Sequence, residues 1–192
     1  MVNTASNVLS GKPLATGGIL RGAVGSTLPT DATTAPGASF NALGYVGEDG
    51  VTETQDRSTD KIKAWGGDTV KVVQTEHSLT YKFTLIETLN AEVLKAVHGD
   101  TNVTTTAATS TSGTLHSVLI TSAELGHAAY VIEVKDGDAR VRIVISDGQI
   151  TEVGDITYSD GDVIGYEVTV ECFPDENGVK ATKYLDDGKF SA

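Results

Sequence analysis

The sequence predicts a mainly β fold of the α+β class, which is a β-sandwich or a partly open barrel with one flanking α-helix. Segments rich in β-branched and aromatic residues recur at short spacing, separated by Gly–Asp turns. Only one segment has a helical period, and it lies between strands. The 192 residues are enough for one domain with a core. We expect this domain at residues 16–187, after an N-terminal arm at 1–15 and before a C-terminal tail at 188–192.

The first third of the chain is predicted to contain the arm, two short strands and a long loop. The arm is aperiodic and rich in Ser, Thr, Asn, Gly and Pro, which is typical of a flexible segment. "GGILRGAVGST" at 17–27 and "LGYVG" at 43–47 are candidate strands, and the second ends at a turn at 48–50. The polar segment at about 52–68 is expected to be a loop centred on Trp65.

The strongest strand pattern in the chain runs over residues 69–87. Apolar and polar residues alternate there, which predicts a half-buried strand. The residues expected on its buried face are Leu79, Tyr81, Phe83 and Leu85.

An apolar stripe at helical spacing predicts one short α-helix at about 89–98. The stripe consists of Leu89, Val93 and Val97. Asn90 or Thr88 can cap the start of this helix, and Gly99 suits its end. The Thr- and Ser-rich segment that follows, at 100–113, fits either an edge strand or a loop.

The second half of the chain is predicted to be a series of strands. "TLHSVLIT" at 114–121 precedes a β-hairpin at 128–148, whose turn lies at 136–138. A second turn at 159–161 leads into a strand at 163–173, and a last strand precedes the tail.

The net charge of the chain is −12, from 26 acidic and 14 basic residues. Stable binding of nucleic acid requires Lys and Arg to neutralise phosphates, so this charge argues against it. An acidic surface fits simple solubility, basic partners, or the passage of a polyanion without binding. The mean hydropathy of −0.07 is typical of soluble proteins. We expect no membrane span, because no apolar run approaches about 20 residues. We expect no signal peptide, because the first residues show neither a basic start followed by an apolar core nor a small-residue cleavage site.

Residue types that catalyse reactions or bind metals show no recognisable arrangement, so we predict no enzymatic activity and no cofactor. A G-x-S-x-G elbow and a Walker A loop are both absent from the sequence. The four histidines have no partner at metal-ligand spacing and are expected to be structural. Cys172, the single cysteine, lies in the strand pattern "YEVTVECF" and is expected to be a small core residue.

Two Asp-Gly-Asp turns resemble fragments of calcium-binding loops. Their carboxylates belong to Asp136, Asp138, Asp160 and Asp162. Neither turn continues into the twelve-residue loop with a final bidentate Glu that such sites require. Because Asp and Gly are also the residues that tight turns need, we favour turns over metal sites.

Trp65 is the only tryptophan of the chain and lies in a polar segment flanked by glycines. It either packs on the core of its own subunit or is buried by a neighbouring subunit, for which Trp is a strong anchor. Unprotected strand edges are templates for pairing with another chain. Together these features suggest a self-associating protein.

Several motifs in the first half of the chain resemble a known family. They are "GSTLPTDA" at 25–32, "LGYVGEDGV" at 43–51, "AWGG" at 64–67 and the helix segment "NAEVLKAVHG". With the long strand that leads into the helix, this pattern resembles the major tail (tail tube) proteins of long, non-contractile-tailed phages that infect actinobacteria. The resemblance covers about residues 15–99, whereas residues 100–192 match only in their hairpin character.

The resemblance implies a structural virion protein of the phage tail, assembled in the host cytoplasm. Its subunits would form hexameric rings that stack into a tube, with the long loop and the terminal arms bridging subunits and rings. The lumen would hold a tape-measure protein and later conduct double-stranded DNA without binding it stably. Tail terminator and tail-tip proteins would be further partners.

The predicted inter-subunit interface includes polar and aromatic residues of the long loop and of the strand before it. They are Tyr45, Asp49, Asp56, Arg57, Asp60, Lys61, Lys63, Trp65 and Asp68. One alternative is another ring-forming virion component, such as a head–tail connector or a tail terminator. A calcium- or carbohydrate-binding β module is a further alternative.

Overall fold

The structure is a computed structural model, and it describes residues 4, 7–14 and 18–189. Parts of the predicted arm and of the first candidate strand, and the last three residues of the predicted tail, lie outside this description.

Eleven strands, one α-helix and a 3-10 helix at Asp100–Asn102 are the regular elements described below. The strands are β1 (Lys12–Pro13), β2 (Ile19–Gly22), β3 (Asn41–Ala42), β4 (Val46–Lys63), β5 (Thr69–Leu85), β6 (Val103–Thr106), β7 (Leu115–Val118), β8 (Ala128–Asp136), β9 (Ala139–Val153), β10 (Tyr166–Cys172) and β11 (Thr182–Asp186). The helix, α1, spans Ala91–His98 and lies between β5 and β6. The predicted mainly β fold with one flanking helix is confirmed.

Nine strands form one antiparallel sheet in the order β3-β2-β8-β9-β10-β5-β4. β1 is added at β8 and β11 at β9, while β6 and β7 form a separate two-stranded sheet. The long strand β9 pairs with β11 along its first half and with β10 along its second half. Among the described residues, the other edge of β11 has no strand partner.

The main core lies between one face of the large sheet and α1. The apolar face predicted for β5 is confirmed, because Leu79, Tyr81, Phe83 and Leu85 are all buried. Alternate residues of β10 extend this apolar face, and they are Tyr166, Val168, Val170 and Cys172. The predicted burial of Cys172 in a strand is therefore confirmed.

The helix α1 has the caps that its flanking residues predict. The side chain of Asn90 accepts a hydrogen bond from the Glu92 backbone N–H at 3.0 Å, and Gly99 ends the helix with a φ of 97°. The helix begins two residues later than predicted, so Leu89 lies outside it and is exposed. Among the described residues, no helix has the length and apolar character to cross a membrane.

The hairpin predicted at 128–148 is confirmed as β8 and β9, but β8 is buried on both faces rather than on one. The loop between β2 and β3 covers the second face, where Phe40 packs with Ala129 and Val131. An ion pair between Glu133 and Arg142 is buried on these two strands. The sequence pattern missed this second layer because the loop that forms it has no period of its own.

The segment at 52–68, expected to be a loop, is instead a strand over most of its length. β4 pairs with β5 from Val46 to Lys63, and only residues 64–68 form the connecting turn. The residues at 48–50, expected to be a turn, lie within β4 in a bulge between Val46 and Val51. The alternation rule failed at 52–63 because it detects strands that have one buried face, and here both faces are exposed.

Candidate assembly surface

The last part of β4 and the first part of β5 extend beyond the core as a two-stranded ribbon. We define this ribbon as residues 54–76, which include the turn at 64–68. Leu79 is the buried residue of β5 that lies nearest the turn, and every residue from 54 to 76 is exposed. The eight steps from Gln55 to Lys63, at about 3.3 Å each, give the ribbon a reach of roughly 26 Å. A two-stranded ribbon in water is marginally stable, so the ribbon is suited to being covered by another molecule.

The turn at the tip of the ribbon presents Trp65 to solvent. The Ala64 N–H donates to the Asp68 carbonyl at 2.8 Å, and the Gly67 N–H donates to the Ala64 carbonyl at 3.0 Å. Gly66 and Gly67 have φ values of 112° and 100°, which side chains other than glycine rarely adopt. The relative exposure of Trp65 is 108%, so it is not part of its own subunit's core.

The tip of the ribbon combines exposed apolar side chains with lysines. Ile62, Val70 and Val72 are each at least half exposed. Lys61 lies opposite Val72 across the ribbon, and alternation along β4 places Lys63 on the same side as Lys61. Exposed apolar groups next to positive charges suit a partner surface that is both apolar and acidic.

The ribbon as a whole is electrically balanced. It contains four basic and four acidic residues: Arg57, Lys61, Lys63, Lys71, Asp56, Asp60, Asp68 and Glu76. The net charge of −12 therefore lies on the rest of the chain.

The structure places most of the predicted interface residues on the ribbon. These are Asp56, Arg57, Asp60, Lys61, Lys63, Trp65 and Asp68, all exposed. Tyr45 and Asp49 are exposed as well but lie at the other end of β4, at and before its bulge. Sequence reasoning missed Ile62, Val70 and Val72, although valines in a strand without a burying partner could have indicated an exposed apolar surface.

The base of the ribbon is held by Glu53. Its carboxylate accepts hydrogen bonds from Tyr81 Oη at 3.1 Å and Gln55 Nε2 at 2.7 Å, and it forms an ion pair with Lys183 Nζ on β11 at 2.5 Å. Burial alone would raise the pKa of Glu53, but the hydrogen bonds from Lys183, Gln55 and Tyr81 outweigh it and lower that pKa. Lys180 Nζ donates to the backbone carbonyl of His77 at 2.6 Å, so a second lysine also holds the base.

A groove of about 690 Å³, here the β11 groove, lies between β11 and the loop at residues 30–33. Its lining includes three carboxylates and an exposed leucine: Asp31, Asp186, Asp187 and Leu185. Backbone hydrogen bonds from Thr34 and Thr33 to its carboxylate lower the pKa of Asp31, which keeps it charged.

Arg142 on β9 holds the loop that forms one side of the β11 groove. Its Nη1 donates to the backbone carbonyls of Asp31 at 2.7 Å and Thr34 at 2.6 Å. Its Nε donates to Glu133 at 2.9 Å, which completes a buried, charge-assisted network. The backbone of the groove wall is therefore tied to β9 through Arg142.

The face of the large sheet opposite the main core is polar and solvent-facing around β10. It carries Glu167 and Glu171 of β10 and Glu152 of the neighbouring β9. Lys82 of β5 lies on the same face and forms an ion pair with Glu167 at 2.8 Å. This face carries a net negative charge.

The Asp-Gly-Asp segments have roles in local structure. Asp136 Oδ2 accepts a hydrogen bond from the Ser10 N–H at 2.8 Å, and Gly137 forms the β8–β9 turn with a φ of 60°. Asp162 Oδ1 accepts from the Val163 N–H at 2.8 Å. Within the described part of the chain, no group of three or more His, Cys, Asp or Glu side chains could hold a metal ion.

The histidines and the cysteine occupy positions that suit structure. Burial lowers the pKa of His98, whose ring packs edge-on against Tyr166 at a centroid distance of 5.8 Å. His127 Nδ1 lies 2.6 Å from Asp147. Burial raises the pKa of Cys172 to about 12, so its thiol is not a nucleophile near neutral pH.

Comparison with known proteins places the chain in a family. A cryo-EM structure of the anti-feeding prophage cap, a tube-terminating cap, aligns with 97% of this chain and 100% of that chain, with a TM-score of 0.48 and 9% identity. At this distance the likeness carries no conclusion. The comparison with curated proteins finds no match. The model of the phage tail tube protein family matches residues 5–191. The chain therefore belongs to the phage tail tube protein family and is a structural component of a virion tail.

Proposed function

We propose that this chain is the repeating subunit of a tail tube, in which hexameric rings stack and enclose a lumen for double-stranded DNA. Its role is structural and involves no catalysis. Membership of the tail tube family supports this proposal for the chain as a whole. The observation that carries it is the ribbon, which exposes Trp65 and three large aliphatic side chains with no cover from their own subunit.

The ribbon supplies the kind of contact that a tube needs. A surface that binds a different surface of the next copy gives a ring if the rotation closes and a filament if it does not. The predicted interface residues on the ribbon, from Asp56 to Asp68, make such a contact with a neighbouring subunit. Tyr45 and Asp49 make a second contact at the base of β4.

The polar face around β10 forms the wall of the lumen in this proposal. Like charge on a wall prevents stable binding of DNA, and Glu152, Glu167 and Glu171 supply that charge. Screening limits the effect to about 8 Å at physiological ionic strength, so only groups on the wall itself repel DNA.

The other predicted partners follow from this role. Before DNA passes, the lumen holds a tape-measure protein, and the two ends of the tube contact tail terminator and tail-tip proteins. Assembly takes place in the host cytoplasm. The actinobacterial host stays a prediction from the resemblance of residues 15–99.

Electron microscopy of the concentrated protein tests the proposed function. We expect hollow rings with six-fold symmetry and stacks of such rings. Protein that stays monomeric at high concentration, even with tape-measure and tail-tip partners added, would contradict the proposal. Rings that never stack would instead indicate a connector or a terminator.

A further inference from the structure

The β11 groove lies beside the base of the ribbon, where the chain's own tip cannot reach it. Lys183 lines the groove and also binds Glu53 at the ribbon base. The tip lies roughly 26 Å beyond that base, since eight residue steps of about 3.3 Å separate Gln55 from Lys63. A ribbon tip that occupies this groove must therefore belong to another copy of the chain.

The β11 groove combines an exposed apolar side chain with acidic side chains, as binding surfaces do. Leu185 is 70% exposed there, although it belongs to a strand of the large sheet. Lys183 is the only basic residue among those that line the groove, and its charge is already paired with Glu53. Two of the three carboxylates have cationic partners outside the groove lining, since Asp31 lies 3.9 Å from Arg142 and Asp187 lies 3.6 Å from Lys189. Asp186 has no ion-pair partner among the described residues, so the groove lining keeps a net negative charge. Its volume of about 690 Å³ is in the range of about 300–1,000 Å³ that is common for binding pockets.

The outer edge of β11 adds a second feature to this surface. Among the described strands, β11 pairs only with β9, so the backbone groups of its other edge are free to bond to an added strand. An extended partner can therefore bind through its backbone as well as through its side chains.

The tip of the ribbon complements the groove in charge and polarity. It is an extended two-stranded segment, which suits a free strand edge. Lys61 and Lys63 lie on one side of it together with Val72. The exposed indole of Trp65 needs an apolar contact, and Leu185 offers one.

We propose that the β11 groove receives the ribbon tip of a second copy of this chain, with Lys61 and Lys63 facing Asp186 and Asp187 and Trp65 packing against Leu185. This inference rests on the proposed function and names the receiving surface for its ribbon. Each copy then offers one tip and one groove at different places. The contact is therefore directional and propagates from copy to copy.

Charge reversal on the two sides tests the pairing. K61E/K63E on the ribbon and D186K/D187K in the groove are each expected to raise the protein concentration needed for assembly by about tenfold. A chain that carries all four changes is expected to assemble within about threefold of the wild type, because the pairs are restored in reverse. The pairing would be overturned if the combined variant assembles no better than whichever double variant, K61E/K63E or D186K/D187K, assembles less well. Circular dichroism checks that each variant folds.

Covalent cross-linking provides a test that leaves the carboxylates in place. Trp65→Cys and Leu185→Cys in one chain, treated with a short bis-maleimide after assembly, are expected to give a ladder of covalent multimers. Leu89→Cys with Leu185→Cys is the matched control, since Leu89 is also highly exposed, at 82%, but lies outside the ribbon. The buried Cys172 does not compete for the reagent.

The outcomes separate this inference from the function on which it rests. If the wild type forms tubes but the 65/185 variant cross-links no more than the 89/185 control, the groove is not the receiving surface. The proposed tube function would then still stand. Wild-type protein that forms neither rings nor tubes would overturn both.

Discussion

Lys183 Nζ lies 2.5 Å from the Glu53 carboxylate, which ties the last strand of the fold to the base of the ribbon. The two residues are 130 positions apart in the sequence. Because Lys180 holds the His77 carbonyl nearby, the direction in which the ribbon leaves the core depends on the C-terminal part of the chain.

Replacement of Lys183 by Met is expected to impair assembly more than stability. The ion pair is partly exposed, so the free energy of unfolding should fall by less than about 1 kcal/mol. The ribbon base loses a contact that sets its direction, so fewer and shorter tubes should form in electron micrographs. Lys183→Arg should restore them. Lys82→Met, which breaks another surface ion pair, is the control and should leave tube length unchanged.

The contribution of Glu53 to stability is expected to disappear in acid. The pKa of Glu53 is lowered in the folded chain, so the charged form binds its partners and the stabilisation is complete above the ordinary value of 4.5. The stabilisation is lost as the pH falls through the lower, folded-state pKa. The difference in unfolding free energy between wild type and Glu53→Gln should be constant at neutral pH and shrink in acid. A difference that grows in acid would contradict this assignment.

Replacement of Arg142 by Ala is expected to destabilise the fold by about 3 to 5 kcal/mol, because it leaves Glu133 buried without its partner. The carbonyls of Asp31 and Thr34 also lose their donor. Chemical denaturation measures the loss. Arg140→Ala on the same strand removes no buried ion pair and should cost much less. Equal losses in the two variants would show that the buried network contributes little.

Replacement of Trp65 by Ala is expected to leave folding unchanged within about 0.5 kcal/mol and to abolish or weaken assembly. As the only tryptophan, Trp65 also reports on assembly through its fluorescence. Its emission should shift to shorter wavelength when rings and tubes form, because a neighbouring subunit removes the indole from water. Leu89→Ala, at another exposed apolar residue, should assemble normally. If Trp65→Ala fails to fold, Trp65 supports its own subunit instead.

The Cys172 thiol is expected to be unreactive in the folded protein at pH 8. Its pKa is raised to about 12 by burial, and the thiolate is the reactive form. A thiol reagent should label it only after denaturant is added, as mass spectrometry can show. Labelling of the native protein at the rate of a free thiol would mean that β10 opens readily.

Sequence patterns predicted the elements that have one buried face. β5 and the β8–β9 hairpin followed from alternation, and α1 followed from its apolar stripe and its caps. The ribbon strand of β4 did not, because neither of its faces is buried within the subunit and its polar residues look like those of a loop. The β11 groove could not be predicted either. It joins residues 30–33 to residues 183–187, and nothing local in either segment indicates the other.

The neutral ribbon on an acidic body has a kinetic consequence for subunits in solution. Two bodies that each carry −12 repel one another, and at physiological ionic strength that repulsion decays over about 8 Å. A ribbon with a reach of roughly 26 Å extends through several such lengths, so its tip can touch a neighbour while the two bodies are still too far apart to repel strongly. In the proposed tube, we therefore expect the ribbon tip to make the first contact between two subunits, before their acidic bodies approach.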